Sequence, residues 1–248
     1  MRFTPTAFIG SEGITAASYW DADNPASWPG SGNTWYNLGV AALKGYPANE
    51  LNLAVTSSLF KGTTTSGSYY EITGSQQLYF SGGGSQFAFD TNGRVQTVIY
   101  RVDLWDQVAS GIRFYGRNDG SNLFWSMINS TGPSASYFAA TNDGATGGYP
   151  SDLNATISGS ILAGQFNYIV IQNNFTGGGY GSTVYLTSLD NFATPYPVNF
   201  SPGEGLAYGL DYISFMGWGT GKLKSIAAYN KILTQGELIR YTEIGPYI

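Results

Sequence analysis

Cysteine and histidine are both absent from the 248 residues. Without cysteine there are no disulfides and no thiolate nucleophile, and without histidine the usual general base and the commonest metal ligand are missing. Charge is scarce too, at 11% of residues, and 11 Lys and Arg against 16 Asp and Glu leave a formal net charge of −5. No run of Lys or Arg forms a basic patch, so the chain is not expected to bind nucleic acid. No window reaches the roughly 18 consecutive apolar residues of a membrane-spanning helix. The opening MRFTPTAFIGSEGIT is broken by Thr4, Pro5, Thr6, Ser11 and Glu12, so neither membrane insertion nor an export signal is expected.

Aromatic residues make up 16% of the chain, with 34 Gly and 19 Tyr, a mixture suited to many strands joined by tight turns. Runs rich in Val, Ile, Tyr and Phe recur between Gly, Asn, Asp and Ser clusters. They predict strands near Ser68–Ile72, Gln77–Phe80, Ser85–Phe89, Gln96–Asp103, Ile112–Tyr115, Leu123–Ile128, Tyr137–Ala139, Asn167–Gln172, Ser182–Thr187, Tyr212–Met216 and Lys222–Tyr229. SGGGS (Ser81–Ser85), GRNDGSN (Gly116–Asn122), NDGATGG (Asn142–Gly148) and TGGGYGS (Thr176–Ser182) read as the loops between them. The fold class this predicts is an all-β, two-sheet antiparallel sandwich.

LTQGELIRYTEIGP (Leu233–Pro246) predicts one short C-terminal helix, Gln235–Ile244. Thr234 is the N-cap and Glu237 its capping-box partner, Leu233 and Leu238 take the two positions of a hydrophobic staple, and Gly245 followed by Pro246 ends the helix. Leu238, Ile239 and either Tyr241 or Thr242 should face the sandwich, leaving Arg240 and Glu243 exposed.

Two segments carry a family resemblance. WDADNPASWPGSGNTWYNLG (Trp20–Gly39) resembles the opening of laminin G-like domains, and GKLKSIAAYNKILTQGELIRY (Gly221–Tyr241) is similar to their closing strand and helix. Between them SGGGSQFAFDTNGRVQ (Ser81–Gln96) and FNYIVIQN with STVYLTSL resemble the paired inner strands of the same family. The resemblance implies a concanavalin A-like jelly roll over residues 20–248, preceded by an arm or docking segment over 1–19. It is similar to domains of tailed-phage virion proteins, which implies a capsid decoration or tail-fibre component assembled in the host cytoplasm. Other virion proteins and host-surface glycan are the implied partners, and a homo-oligomer fits the same setting. A cement protein touching only virion proteins and a polysaccharide depolymerase are the alternatives.

Carboxylate chemistry has little to work with. Hydrolases need paired acids, and the six Glu are scattered singly, with Glu237 already engaged as a cap. Asp21, Asp23 and Asn24 are the nearest approach to a hard-oxygen set, so calcium is the metal to consider there, with a second candidate in the Asn118, Asp119, Asn122 loop. Both are also ordinary turn chemistry. For a sugar, which stacks on aromatic faces and pairs its hydroxyls with polar groups, the candidates are Asp103, Trp105, Arg113, Tyr115 and Trp125 on the strands from Gln96 to Ile128. Trp125 reads as a core residue ahead of a site residue, and no catalytic residue is expected.

Overall fold

The computed structural model describes residues 16, 18–29, 34–39, 53–55, 60–64, 67–73, 78–80, 95–103, 110–118, 123–130, 135–142, 153–157, 166–174, 180–187, 196–200, 212–213, 220–229 and 231–246. Its strands are β1 (Ser18–Asp21), β2 (Thr34–Trp35), β3 (Leu53–Val55), β4 (Phe60–Thr64), β5 (Gly67–Thr73), β6 (Leu78–Phe80), β7 (Val95–Asp103), β8 (Ser110–Asn118), β9 (Leu123–Ser130), β10 (Ala135–Asn142), β11 (Leu153–Ile157), β12 (Asn167–Asn174), β13 (Tyr180–Thr187), β14 (Tyr196–Phe200), β15 (Tyr212–Ile213) and β16 (Thr220–Tyr229). One helix, α1 (Gln235–Ile244), follows them. The fold is all-β with a short C-terminal helix, as the sequence predicts, and each strand pairing described is antiparallel.

An eight-stranded sheet runs β14-β13-β12-β7-β16-β5-β4, with β1 also paired to β16. Two four-stranded sheets, β11-β10-β9-β8 and β15-β6-β3-β2, accompany it among the described strands. They adjoin where β8 lies against β15, and β11 lies against β14 at the edge of the large sheet. Pro197 of β14 is tolerated because, among the described strands, β14 pairs within its sheet with β13 alone. Two stretches read as loops turn out to be strand: Gly116–Asn118 continue β8 through an irregularity after Tyr115, and Tyr180–Ser182 open β13 opposite Val198–Phe200. The partner strand supplies the hydrogen bonds that the Gly-rich sequence does not advertise. Ser85–Phe89 lies outside the described residues.

The central strands are largely buried on both faces, which explains the apolar runs Val98–Tyr100, Tyr168–Ile171 and Ile226–Tyr229. On the inner face Val98, Tyr100 and Val102 of β7 lie beside Ile169 and Ile171 of β12 and Leu223, Ile226 and Ala228 of β16, all at most 3% exposed. Trp20 joins them from β1, opposite Ile226. Trp35 of β2 packs its ring 4.5 Å from Tyr70 of β5, and Trp28 meets the same ring edge-on at 5.2 Å. Those contacts join a four-stranded sheet to the inner face of the eight-stranded one.

The outer face holds a second apolar layer. Tyr19, Ile99, Tyr168, Val170, Ala227 and Tyr229 cluster there with Leu233, Leu238 and Tyr241, so the helix covers this half of the face. The helix keeps every expected feature. Thr234 accepts from the Glu237 N–H at 3.3 Å while the Glu237 carboxylate accepts from the Thr234 N–H at 2.8 Å. Leu238 and Tyr241 are buried, Ile239 and Thr242 half-buried, and Arg240 and Glu243 exposed. Gly245 ends it at φ +74°, a left-handed value that favours glycine. Ala16 is fully buried in the same cluster, and β1 starts at Ser18.

Candidate functional site

β16 is the longest of the described strands and changes partner halfway. Its first residues, Thr220–Leu223, pair with β5, and Ser225–Ala228 pair with β1 on the same edge. Opposite β7 the register skips between Leu223 and Ser225, so Lys224 is the extra residue of a bulge, a device that re-aims a side chain. Its ammonium meets the Asp23 carboxylate at 2.8 Å, and its carbonyl accepts from the Ala22 N–H at 3.0 Å. Asp23 also accepts from the Ser68 N–H. Partial burial works to raise the Asp23 pKa, but Lys224 and Ser68 outweigh it and hold this carboxyl below its ordinary value.

The rest of the opening motif is occupied in the same way. Asp21 accepts from the Asp23 N–H and from the Tyr19 hydroxyl, both at 2.9 Å, and Asn24 accepts from the Ala26 N–H at 2.9 Å. These are the oxygens that calcium would draw on, and each bonds a donor within the chain. Among the described residues no three His, Cys, Asp or Glu side chains gather as a metal site. Asp21, Asp23 and Asn24 therefore build the corner between β1, β5 and β16. Asn118 of the second calcium candidate ends β8, while Asp119 and Asn122 lie outside the described residues.

Beyond the helix, the outer face gathers aromatic rings and cations. The Lys222 ammonium lies 5.1 Å from the centre of the Tyr69 ring, and Tyr69 is 6.3 Å from Phe166. The Lys224 ammonium lies 5.7 Å from the Phe166 ring, and the Arg101 guanidinium 5.4 Å from the Tyr168 ring. Tyr168 in turn meets Tyr241 of the helix edge-on at 6.2 Å. Register orders the set: Asp21, Ser225, Arg101 and Tyr168 form one row across β1, β16, β7 and β12, and Glu71, Lys222 and Asp103 form the next across β5, β16 and β7. Three of only eleven cations in the chain thus share one patch. Lys224 is matched by Asp23, but among the described residues Arg101 has no carboxylate partner, and its buried Nε has no hydrogen bond.

Burial pushes the phenols of Tyr19, Tyr70, Tyr229 and Tyr241 above the usual tyrosine range. A phenol that keeps its proton near neutrality donates a hydrogen bond and cannot act as a base. Tyr19, Tyr229 and Tyr241 lie in the cluster under the helix on the outer face, and Tyr70 lies on the inner face against Trp28 and Trp35.

Of the five residues singled out for sugar, Asp103 lies on this sheet, directly opposite Lys222. Arg113 and Tyr115 belong to β8 and Trp125 to β9, in a four-stranded sheet where Tyr115 and Trp125 are register partners and Arg113 faces Met127. The structure therefore divides that set between two sheets, and Trp105 lies outside the described residues. Tyr69, Phe166, Arg101, Lys222 and Lys224 are not singled out by the sequence. Their signals there are faint: a charge inside the apolar run VIYRVD, and the K-L-K spacing that opens β16.

No protein-family model and no curated protein sequence matches the chain. Solved structures do. The chain is similar to the binding domain of botulinum neurotoxin DC in complex with rat synaptotagmin II (TM-score 0.58, 9% identity, 94% of this chain and 52% of that one) and in complex with SialylT (TM-score 0.57, 9%, with the same coverage). It is similar also to a Trypanosoma rangeli sialidase (TM-score 0.56, 10% identity, 92% of this chain and 33% of that one). The chain thus spans about half the length of the toxin binding domains and a third of the sialidase. At such identities the likeness shows a shared β-sandwich fold.

Proposed function

We propose that this chain is a glycan-binding module, lectin-like and without catalysis, and that its ligand lies on the outer face beside α1. The observation that carries the reading is the meeting of Tyr69, Phe166 and Tyr168 with Arg101, Lys222 and Lys224 on one patch. Aromatic faces match the C–H faces of sugar rings, and fixed charged donors match hydroxyl and acid groups. The toxin binding domain of the same fold in complex with SialylT, and a sialidase among the neighbours, support it. The phage setting, with other virion proteins as partners and a homo-oligomer as its form, is a further proposal that rests on the sequence resemblance. Mass spectrometry of purified particles tests it, and finding the chain only in host cytosol sinks it.

The glycan reading is tested with the full chain on a broad glycan array. Phe166 is half-buried, so Phe166→Ala should fold while weakening the best ligand at least about fivefold, the worth of one aromatic contact. An array without a binder overturns the reading and favours a cement protein.

A further inference from the structure

We infer that the glycan taken on this face bears a carboxylate, as sialic and uronic acids do, and that Arg101 is the residue that receives it. The inference rests on the glycan-binding reading above and deepens it. In a chain of net charge −5, cations are normally neutralised by nearby acids, and Lys224 and Lys231 are, by Asp23 and Glu237. Arg101 stands apart. It sits mid-sheet between Tyr168 and Ser225 in the register, with its guanidinium against the Tyr168 ring and no carboxylate partner among the described residues.

Half-burying a guanidinium without an anion is costly, and a structural role would be served better by an apolar residue. A ligand anion removes that cost. The planar fork of arginine matches a carboxylate with two parallel hydrogen bonds, and a ring packed against it restricts the directions in which it donates. The charge balance limits the anion as well. Asp21 lies in the same row, and the Tyr241 phenol feels both its field and that of Arg101. A singly charged carboxylate fits beside Asp21 better than a doubly charged phosphate.

Titration calorimetry on the full chain with 3′-sialyllactose and a galacturonate oligosaccharide, beside lactose and the carboxyl-reduced form of each acid, tests this. At least one acidic probe should bind, and carboxyl reduction should weaken it at least tenfold, the usual worth of a hydrogen-bonded charge. Arg101→Gln should cost as much and abolish the distinction between acidic and reduced probes, while Arg101→Lys should restore part of it. Should Arg101→Gln not fold, the acidic and reduced probes compared on the unaltered protein decide whether the carboxylate is recognised. Equal binding of acidic and reduced probes, or of lactose alone, overturns the carboxylate inference and leaves the glycan reading standing. Undiminished acid preference in a folded Arg101→Gln overturns the assignment to Arg101. Binding to no probe here and to nothing on the array overturns both.

Discussion

The Asp23 carboxylate and the Lys224 ammonium meet at 2.8 Å at the point where β16 leaves β5 and takes up β1. One residue comes from the opening motif and the other from the closing strand, so the ion pair fastens the two ends of the domain together. It also sets Lys224 in place beside Phe166, which links the corner to the candidate ligand face.

Gly67 is the residue this corner cannot replace. It opens β5 at φ +104°, and a Cβ there would overlap the Asp23 carboxylate and lie 2.6 Å from Lys224 Nζ. Gly67→Ala therefore has a backbone cost of about 1–3 kcal/mol for the left-handed conformation, and it displaces the ion pair as well. Urea unfolding should show the loss. In Gly67→Ala combined with Asp23→Ala the second change should cost little more, because the first has already parted the pair. Full additivity would mean that Gly67 and Asp23 act independently.

Acid should weaken the fold through two carboxylates. Partial burial works to raise the pKa values of both Asp23 and Glu237, but Lys224 with Ser68, and Lys231 with Thr234, outweigh it and hold both below their ordinary values of 3.8 and 4.5. A depressed folded pKa means that the unfolded chain binds more protons in this window, so stability rises with pH through it. The contribution is complete above the ordinary values and is lost as pH falls below them through the folded ones. With no histidine in the chain, the urea midpoint should be flat between about pH 5.5 and 8. Asp23→Asn with Glu237→Gln should flatten its fall in acid, and an unchanged acid slope would move the effect to other carboxylates.

The helix is legible in full because Leu233, Thr234, Glu237, Leu238, Gly245 and Pro246 carry its boundaries within fourteen residues. Leu223, Ile226 and Ala228 are legible as a core face from their spacing along β16. Tyr229 is legible with Leu233 as the contact that fixes the helix, but the burial of Ala227 is not, since it follows from α1 folding back over the other face. The candidate patch lies further out of reach. Tyr69, Arg101, Phe166 and Lys224 come from four separate stretches of chain, and only the pairing of β5, β7, β12 and β16 brings them together. β14 escapes a sequence reading for the opposite reason: Pro197 argues locally against a strand and is harmless at a sheet edge.

The link between β16 and the helix should matter more than the cap that begins the helix. Thr97 and Gln172 are register partners on β7 and β12, both buried. The Thr97 hydroxyl donates to the Lys231 carbonyl at 2.7 Å and accepts from the Leu233 N–H at 3.0 Å, and Gln172 Nε2 donates to the Leu233 carbonyl at 2.6 Å. Thr97→Val keeps the shape but strips the Lys231 carbonyl and the Leu233 N–H of their shared partner, at about 1–3 kcal/mol for the buried Leu233 N–H, with a further loss from the half-buried Lys231 carbonyl. Thr234→Ala removes a cap at an exposed position, at about 1 kcal/mol. Urea unfolding should therefore rank Thr97→Val as the more damaging. It should also release Leu233, Leu238 and Tyr241 from the outer face, because that short connection seats them over Tyr229 and Tyr168. A smaller loss for Thr97→Val than for Thr234→Ala would show that apolar contact alone holds the helix down.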